Sequence, residues 1–137
     1  MEIKNYEIDI RKLLVPALKS VKGIKVFAGI NSGDPYYPAV IVTQTDSSMV
    51  SQTYDSAGWH HVRYAYDINV YTKGDDIVKA RQLATSIANT VSETMQGIGF
   101  QMDSCVPNLG DKTLKTDRIA MRFTAIIDTT TDTTFRG

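Results

Sequence analysis

Val62-Arg63-Tyr64-Ala65-Tyr66-Asp67-Ile68-Asn69-Val70-Tyr71-Thr72-Lys73-Gly74-Asp75-Asp76, followed at once by Ile77-Val78-Lys79-Ala80, is the stretch whose reading decides the fold. From Val62 to Tyr71 the chain alternates with period two, placing Tyr64, Tyr66, Ile68 and Val70 on one face and Arg63, Asp67 and Asn69 on the other. That is a strand with one buried and one open face. Lys73-Gly74 then turns the chain, and Asp75-Asp76 supplies an acidic cap for a helix. Ile77, Ala80, Ala84, Ile87, Val91 and Met95 recur at three- and four-residue steps, which is the stripe of an amphipathic helix. The period changes from 2 to 3.6 across one short turn, so a sheet packed under a helix is expected.

Outward from this centre, Gly97 and Gly99 end the helix, and Phe100 with Met102 predicts a short strand before the Val106-Pro107-Asn108-Leu109-Gly110 loop. Ile119, Met121, Phe123, Ala125 and Ile127 alternate with Arg118, Ala120, Arg122 and Thr124, predicting a long strand. Upstream, Ala39 to Thr45 is a β-branched run that reads as a buried strand, and Ile24 to Ala28 as a shorter one. Asn31-Ser32-Gly33-Asp34-Pro35 between them is turn chemistry. Apolar residues from Ile3 to Val21 fall at helical spacing, with Pro16 expected to kink that helix or end it by Val15. The fold class predicted is α+β. It is a mixed or antiparallel sheet of about five strands with two helices on one face, in the order α-β-β-β-α-β-β.

The domain organisation expected is a single domain over residues 1–127 and a flexible tail over 128–137. Between Asp46 and His61 the chain loses its periodicity and becomes rich in Ser, Thr and Gln while still carrying Met49, Tyr54 and Trp59. A long arm or loop is therefore expected at about 46–61, and its aromatic and Met side chains read as an assembly interface together with His60 and His61. The alternative is that Trp59 packs back on its own sheet. Arg63, Arg118 and Arg122 belong to the open sheet face, where they are either solvated or available to a partner such as an anion.

Composition narrows the function classes. Fifteen Lys+Arg balance fifteen Asp+Glu, so the broad basic face of a phosphate-tracking nucleic-acid binder is not expected. Apolar residues at 42% and charged residues at 22% suit a globular domain. No apolar run approaches the ~18 residues that span a bilayer, so neither membrane insertion nor export is expected. The one cysteine, Cys105, cannot form an intramolecular disulfide and has no flanking His to activate it.

The sites of common chemistries also fail on spacing. His60-His61 are neighbours on a strand and point to opposite faces, a poor arrangement for chelating one metal ion. Gly-x-Ser-x-Gly does not occur. Gly97-Ile98-Gly99 comes after a helix, the reverse of the strand-to-helix order that cradles phosphate. No catalytic, metal or cofactor site is predicted, and an enzyme is not expected.

The run Tyr66-Asp67-Ile68-Asn69-Val70-Tyr71-Thr72-Lys73-Gly74, the helix after it, Gly99-Phe100 and Arg118-Ile119-Ala120-Met121-Arg122-Phe123 together resemble the tail terminator, or tail-completion, proteins of long-tailed bacteriophages. The resemblance covers almost the whole chain in element order and length. It implies a virion subunit that forms a hexameric ring on the head-proximal end of the tail tube, halts tube growth and meets the head connector, with DNA as passing cargo in the lumen. It implies no reaction and no cofactor. By position in the fold, it places Met49, Tyr54, Trp59, His60 and His61 on an arm that contacts neighbouring subunits or the tube. Another phage neck or tail ring subunit is the nearest alternative. A small ligand-binding α+β module, using the arginines of the open face, is the alternative of a different class.

Overall fold

The computed structural model describes residues 4–29, 36–49, 54–55, 58–59, 61–128 and 133–135. In chain order its elements are α1 (Glu7–Ala17), β1 (Lys25–Ala28), β2 (Ala39–Met49), β3 (Tyr54–Asp55), β4 (Gly58–Trp59), β5 (His61–Lys73), α2 (Ile77–Gly97), β6 (Gln101–Val106), β7 (Thr116–Asp128) and β8 (Thr133–Phe135). The main sheet runs β1-β2-β5-β7-β6, with β8 added beside β7, while β3 and β4 pair as a separate two-residue ladder. Among the described strands of the main sheet only β1 is parallel to its neighbour, so the sheet is mixed. The expected class and element order are those observed.

Alternation in β5 and β7 builds the core. Tyr64, Tyr66, Ile68 and Val70 are fully buried, and Ile119, Met121, Phe123, Ala125 and Ile127 face the same side. The stripe Ala80, Ala84, Ile87, Val91 and Met95 of α2 closes over them. Burying a side chain of Leu or Ile size contributes roughly 1.5–3 kcal/mol, so this layer dominates stability. Asp76 is the N-cap of α2, its side chain accepting from the Lys79 amide at 2.8 Å. Thr72, one of two buried polar residues among those described, donates to the Ala80 carbonyl at 2.7 Å and ties β5 to the helix.

The first helix sits over the β1 and β2 side of the sheet and also touches α2. It continues one residue past Pro16 to Ala17, longer than the predicted end at Val15. A proline near the C-terminus forfeits only one bond, and burial of Leu14 and Leu18 on either side holds the last turn. Two tyrosine hydroxyls secure the approach to this helix. Tyr64 Oη accepts from the Lys4 amide at 3.0 Å, and Tyr66 Oη accepts from the Tyr6 amide at 2.8 Å while donating to Gln44 Oε1 at 2.7 Å. Burial pushes the Tyr66 hydroxyl well above its ordinary pKa. Rings of Tyr6, Tyr64, Tyr66 and Phe100 continue this contact, each neighbouring pair at 5.2–6.4 Å between centroids.

β5 and β7 exceed their expected bounds by one or two residues at each end, and β2 and β6 run on by four. β2 was expected over residues 39–45 and reaches Met49, because β5 pairs with it to the Met49↔Val62 position across a bulge between Gln44 and Asp46. The bulge coincides with an amide that looks to α1 for its acceptor: Gln44 N–H donates to Glu7 Oε2 at 2.7 Å. β6 was expected over 100–102 and runs to Val106, where β7 supplies the ladder that its own non-alternating residues do not announce. The turn residues 31–35 lie outside the described residues.

Candidate assembly surface

The open face of the sheet is a set of cross-strand pairs. Arg122 and Asp67 are in register, and Nε donates to Asp67 Oδ1 at 2.9 Å with Nη2 to Oδ2 at 3.4 Å. This hydrogen bond first, and the carboxylate charge second, hold the Arg122 guanidinium above its ordinary pKa. Arg118 sends Nε and Nη2 to Asn69 Oδ1 at 3.1 and 2.9 Å and lies over the Tyr71 ring at 5.7 Å. Thr124 donates to Asp103 at 3.0 Å. Period-two alternation carries these residues to one face, and the β5–β7 register sets each against its partner.

The three arginines singled out from sequence do share this face, but they are not gathered. Arg118 and Arg122 are four residues apart on β7, and Arg63 stands opposite Ile126, four further along. At about 3.3 Å per residue that is roughly 26 Å from end to end. A small anion therefore reaches one of them at a time, and two already donate into the sheet. Between Arg118 and the loop after β6 lies an open concavity of about 550 Å³, walled by Tyr37, Tyr71, Leu109, Asp111 and Lys112. The sequence offers no signal for it, since the walls come from three separated segments.

Of the arm expected at 46–61, residues 46–49, 54–55, 58–59 and 61 lie on strands, and residues 50–53, 56–57 and 60 lie outside the described residues. β2, β5 and β7 extend together past the bulge, with Met49 opposite Val62, and Val62 opposite Ile127. Beyond their ends, Tyr54 pairs with Trp59 in the β3–β4 ladder. Met49, Tyr54 and Trp59 are thus placed by their backbone on strands of this region, and His60 lies outside the described residues. His61 opens β5 and meets Asp128 across the sheet, Nε2 to Oδ2 at 4.0 Å. Among the described residues no three His, Cys, Asp or Glu gather around one point. β8 pairs with the last residues of β7, Ile126 to Asp128, inside the segment 128–137. Residues 129–132 and 136–137 of that segment lie outside the described residues.

Among the described residues no helix is long and apolar enough to cross a membrane. Cys105, on edge strand β6, is exposed. Seven large apolar side chains are exposed among the described residues, on α1, at the start of α2, and on β6 with the loop after it.

The sequence matches no protein-family model and no curated protein. Solved structures do share the architecture. A chain of the virion of the native gene transfer agent particle superposes with a TM-score of 0.54 at 16% identity, covering 85% of this chain and 90% of that one. The gp17 protein of bacteriophage SPP1 aligns at 21% identity over 90% of this chain and 96% of that one, with a TM-score of 0.39, too low for a shared fold to follow. The first likeness shows the fold: most of this chain shares its architecture with a chain of the gene transfer agent virion.

Proposed function

We propose that this chain is a phage virion assembly subunit of the tail-terminator kind. It forms a ring, most simply a hexamer, that caps the head-proximal end of the tail tube and joins it to the head connector. The observation that carries the reading is the match in fold and extent to a chain of a gene transfer agent virion, covering 85% of one and 90% of the other. The sequence resemblance to tail terminators points the same way independently.

Physical features favour the role. A ring repeats one heterologous interface, and several copies acting together make modest contacts stable. Strands β2, β5 and β7 run together to Met49, His61 and Asp128, and Met49, Tyr54, Trp59 and His61 lie on strands of this region, which the reading assigns to contact with a neighbouring subunit or the tube. Zero net charge and arginines already bonded to Asp67 and Asn69 suit a subunit past which DNA moves without being held. The role requires no reaction and no cofactor. Virion location at the head-proximal tail end, with the tube protein and connector as partners, belongs to the same reading.

Native mass spectrometry of the purified chain, paired with an assay for capping of tail tubes, tests it. A ring, or arrest of tube growth at a defined end, is the expected result. A chain that stays monomeric at the highest attainable concentration and leaves tube growth unaffected overturns it.

A further inference from the structure

Charge is unevenly placed along this neutral chain. Residues 10–29 carry Arg11, Lys12, Lys19, Lys22 and Lys25 and no acidic residue, which leaves ten basic residues to face all fifteen acidic ones elsewhere. All five side chains are exposed, and among the described residues none of them makes an ion pair. We propose that these five form one seat for the phosphate backbone of duplex DNA, on the outer side of α1 and the free edge of β1. The proposal deepens the reading above and rests on it for the identity of the polyanion that passes the subunit.

The fold gathers the five at one edge of the sheet. β1 is the outermost strand, and its Lys25 and Gly29 amides bond to the Pro38 and Val42 carbonyls on the β2 side, so the Val26 carbonyl between them points outward. Arg11 Nε donates to that carbonyl at 2.8 Å, which fixes the guanidinium at the edge next to Lys25. Lys12 follows on the solvent side of the helix, away from buried Ile10 and Leu14. Lys19 and Lys22 lie on two successive turns, closed by the Val21 amide on the Leu18 carbonyl at 3.0 Å and the Ile24 amide on the Val21 carbonyl at 3.4 Å. Tyr36 pins the second turn by donating to the Gly23 carbonyl at 2.9 Å, and Lys25 Nζ lies 4.7 Å from the centre of the same ring. The connection from α1 to β1 is therefore short and held. A helix C-terminus favours a cation within about one turn, which accounts for Lys19 at most.

Like charges held together without anions repel one another, and a polyanion relieves that repulsion. Protein interfaces are depleted in lysine, whereas four of these five cations are lysines, mobile point charges that meet phosphates without reading bases. The Tyr36 ring beside the patch is already covered by Lys25, so it offers no platform for stacking the bases of a single strand. Duplex backbone is the polyanion that fits. Each phosphate contact releases a counterion, so a seat of this few charges loosens as salt rises and lets DNA move on. The contact is local, in keeping with a chain whose total charge is zero.

The test is fluorescence anisotropy of a labelled DNA duplex of mixed sequence, titrated with the full chain across a salt series. Four or five phosphate contacts should cost about 150- to 500-fold in affinity between about 50 and 200 mM salt. The triple variant Lys19→Gln, Lys22→Gln, Lys25→Gln should flatten the slope of log affinity against log salt by about 2.7, while Lys19→Arg, Lys22→Arg, Lys25→Arg keeps it. Lys73→Gln, Arg81→Gln, Lys112→Gln makes the same change in net charge at exposed positions elsewhere and should leave the slope as it is. Should the first Gln variant fail to melt cooperatively, Lys22→Gln alone should flatten the slope by about 0.9. Equal flattening by both Gln triples, or none by either, overturns the seat. Polyglutamate that displaces the duplex at equal charge concentration assigns the patch to an acidic protein and overturns it as well. Ring formation and tube capping are scored separately: a chain that rings and caps without binding duplex here overturns this inference alone, and one that binds duplex here but neither rings nor caps overturns the ring reading alone.

Discussion

The two faces of the β5–β7 ladder are made by the same residues taken alternately, and they answer to different physics. Toward the helices stand Tyr64, Tyr66, Ile68, Met121 and Phe123, each 2% exposed or less. Toward the open side stand Asp67, Asn69, Arg118 and Arg122, joined by cross-strand hydrogen bonds. On the covered face area removed from water supplies the energy, and a polar atom is tolerated only where it is tied, as Tyr66 is to Tyr6 and Gln44. On the open face water competes for every polar contact, so the pairs define orientation and local neutrality more than stability. One strand can thus carry the fold on its even residues and leave its odd ones for a partner.

The harshest way to break the covered face is Ile87→Asp. A carboxylate would enter a site that is 0% exposed, and a loss of about 4 kcal/mol or more is expected, read as collapse of the thermal transition. An unchanged melt would mean that α2 does not pack on the sheet through this stripe.

Tyr66→Phe sharpens the comparison, keeping the ring but removing the hydroxyl between the Tyr6 amide and Gln44. About 1–3 kcal/mol should be lost, with the N-terminal segment exchanging its amides faster. Equal exchange in both proteins would show that the hydroxyl does not secure that segment.

On the open face, Asp67→Ala leaves Arg122 in water and should lower the melting temperature by less than Tyr66→Phe does, with the difference shrinking further in salt. A drop as large as that of the core variant would place this pair among the determinants of the fold. Smallest of all in folding terms is the paired change Tyr54→Ala and Trp59→Ala. We expect an unchanged melting temperature with weakened ring formation or tube capping. Loss of folding, with normal assembly by whatever remains folded, would assign these residues to the body of the domain.

Much of the covered face was legible because its signals are local. Alternation at Tyr64 to Val70, the stripe from Ile77 to Met95 and the Asp76 cap each depend on neighbours within a few residues, where chain geometry alone sets which side chains share a face. The candidate surface was only half legible. The sequence put Arg63, Arg118 and Arg122 on one face, yet their spread along the sheet and the donation of two of them to Asp67 and Asn69 depend on a register between residues 49 and 55 positions apart. The exposed apolar residues of α1 were passed over for a different reason: the sequence reading followed the stripe that holds Ile10, Leu14 and Leu18, and Ile8 and Val15 lie on the opposite side of the helix.

By itself, then, the sequence determined two amphipathic helices, the two long central strands and the absence of spacings that common chemistries need, all properties of residues near one another in the chain. The tertiary structure alone decided how far β2 and β6 extend, where the bulge beside Gln44 falls, that β1 lies parallel at one edge under the reach of Arg11, and which apolar residues are left outside. Each of these is settled by which backbone groups find partners across the sheet, and a hydrogen-bond ladder is formed by two segments at once, so neither segment's sequence contains it.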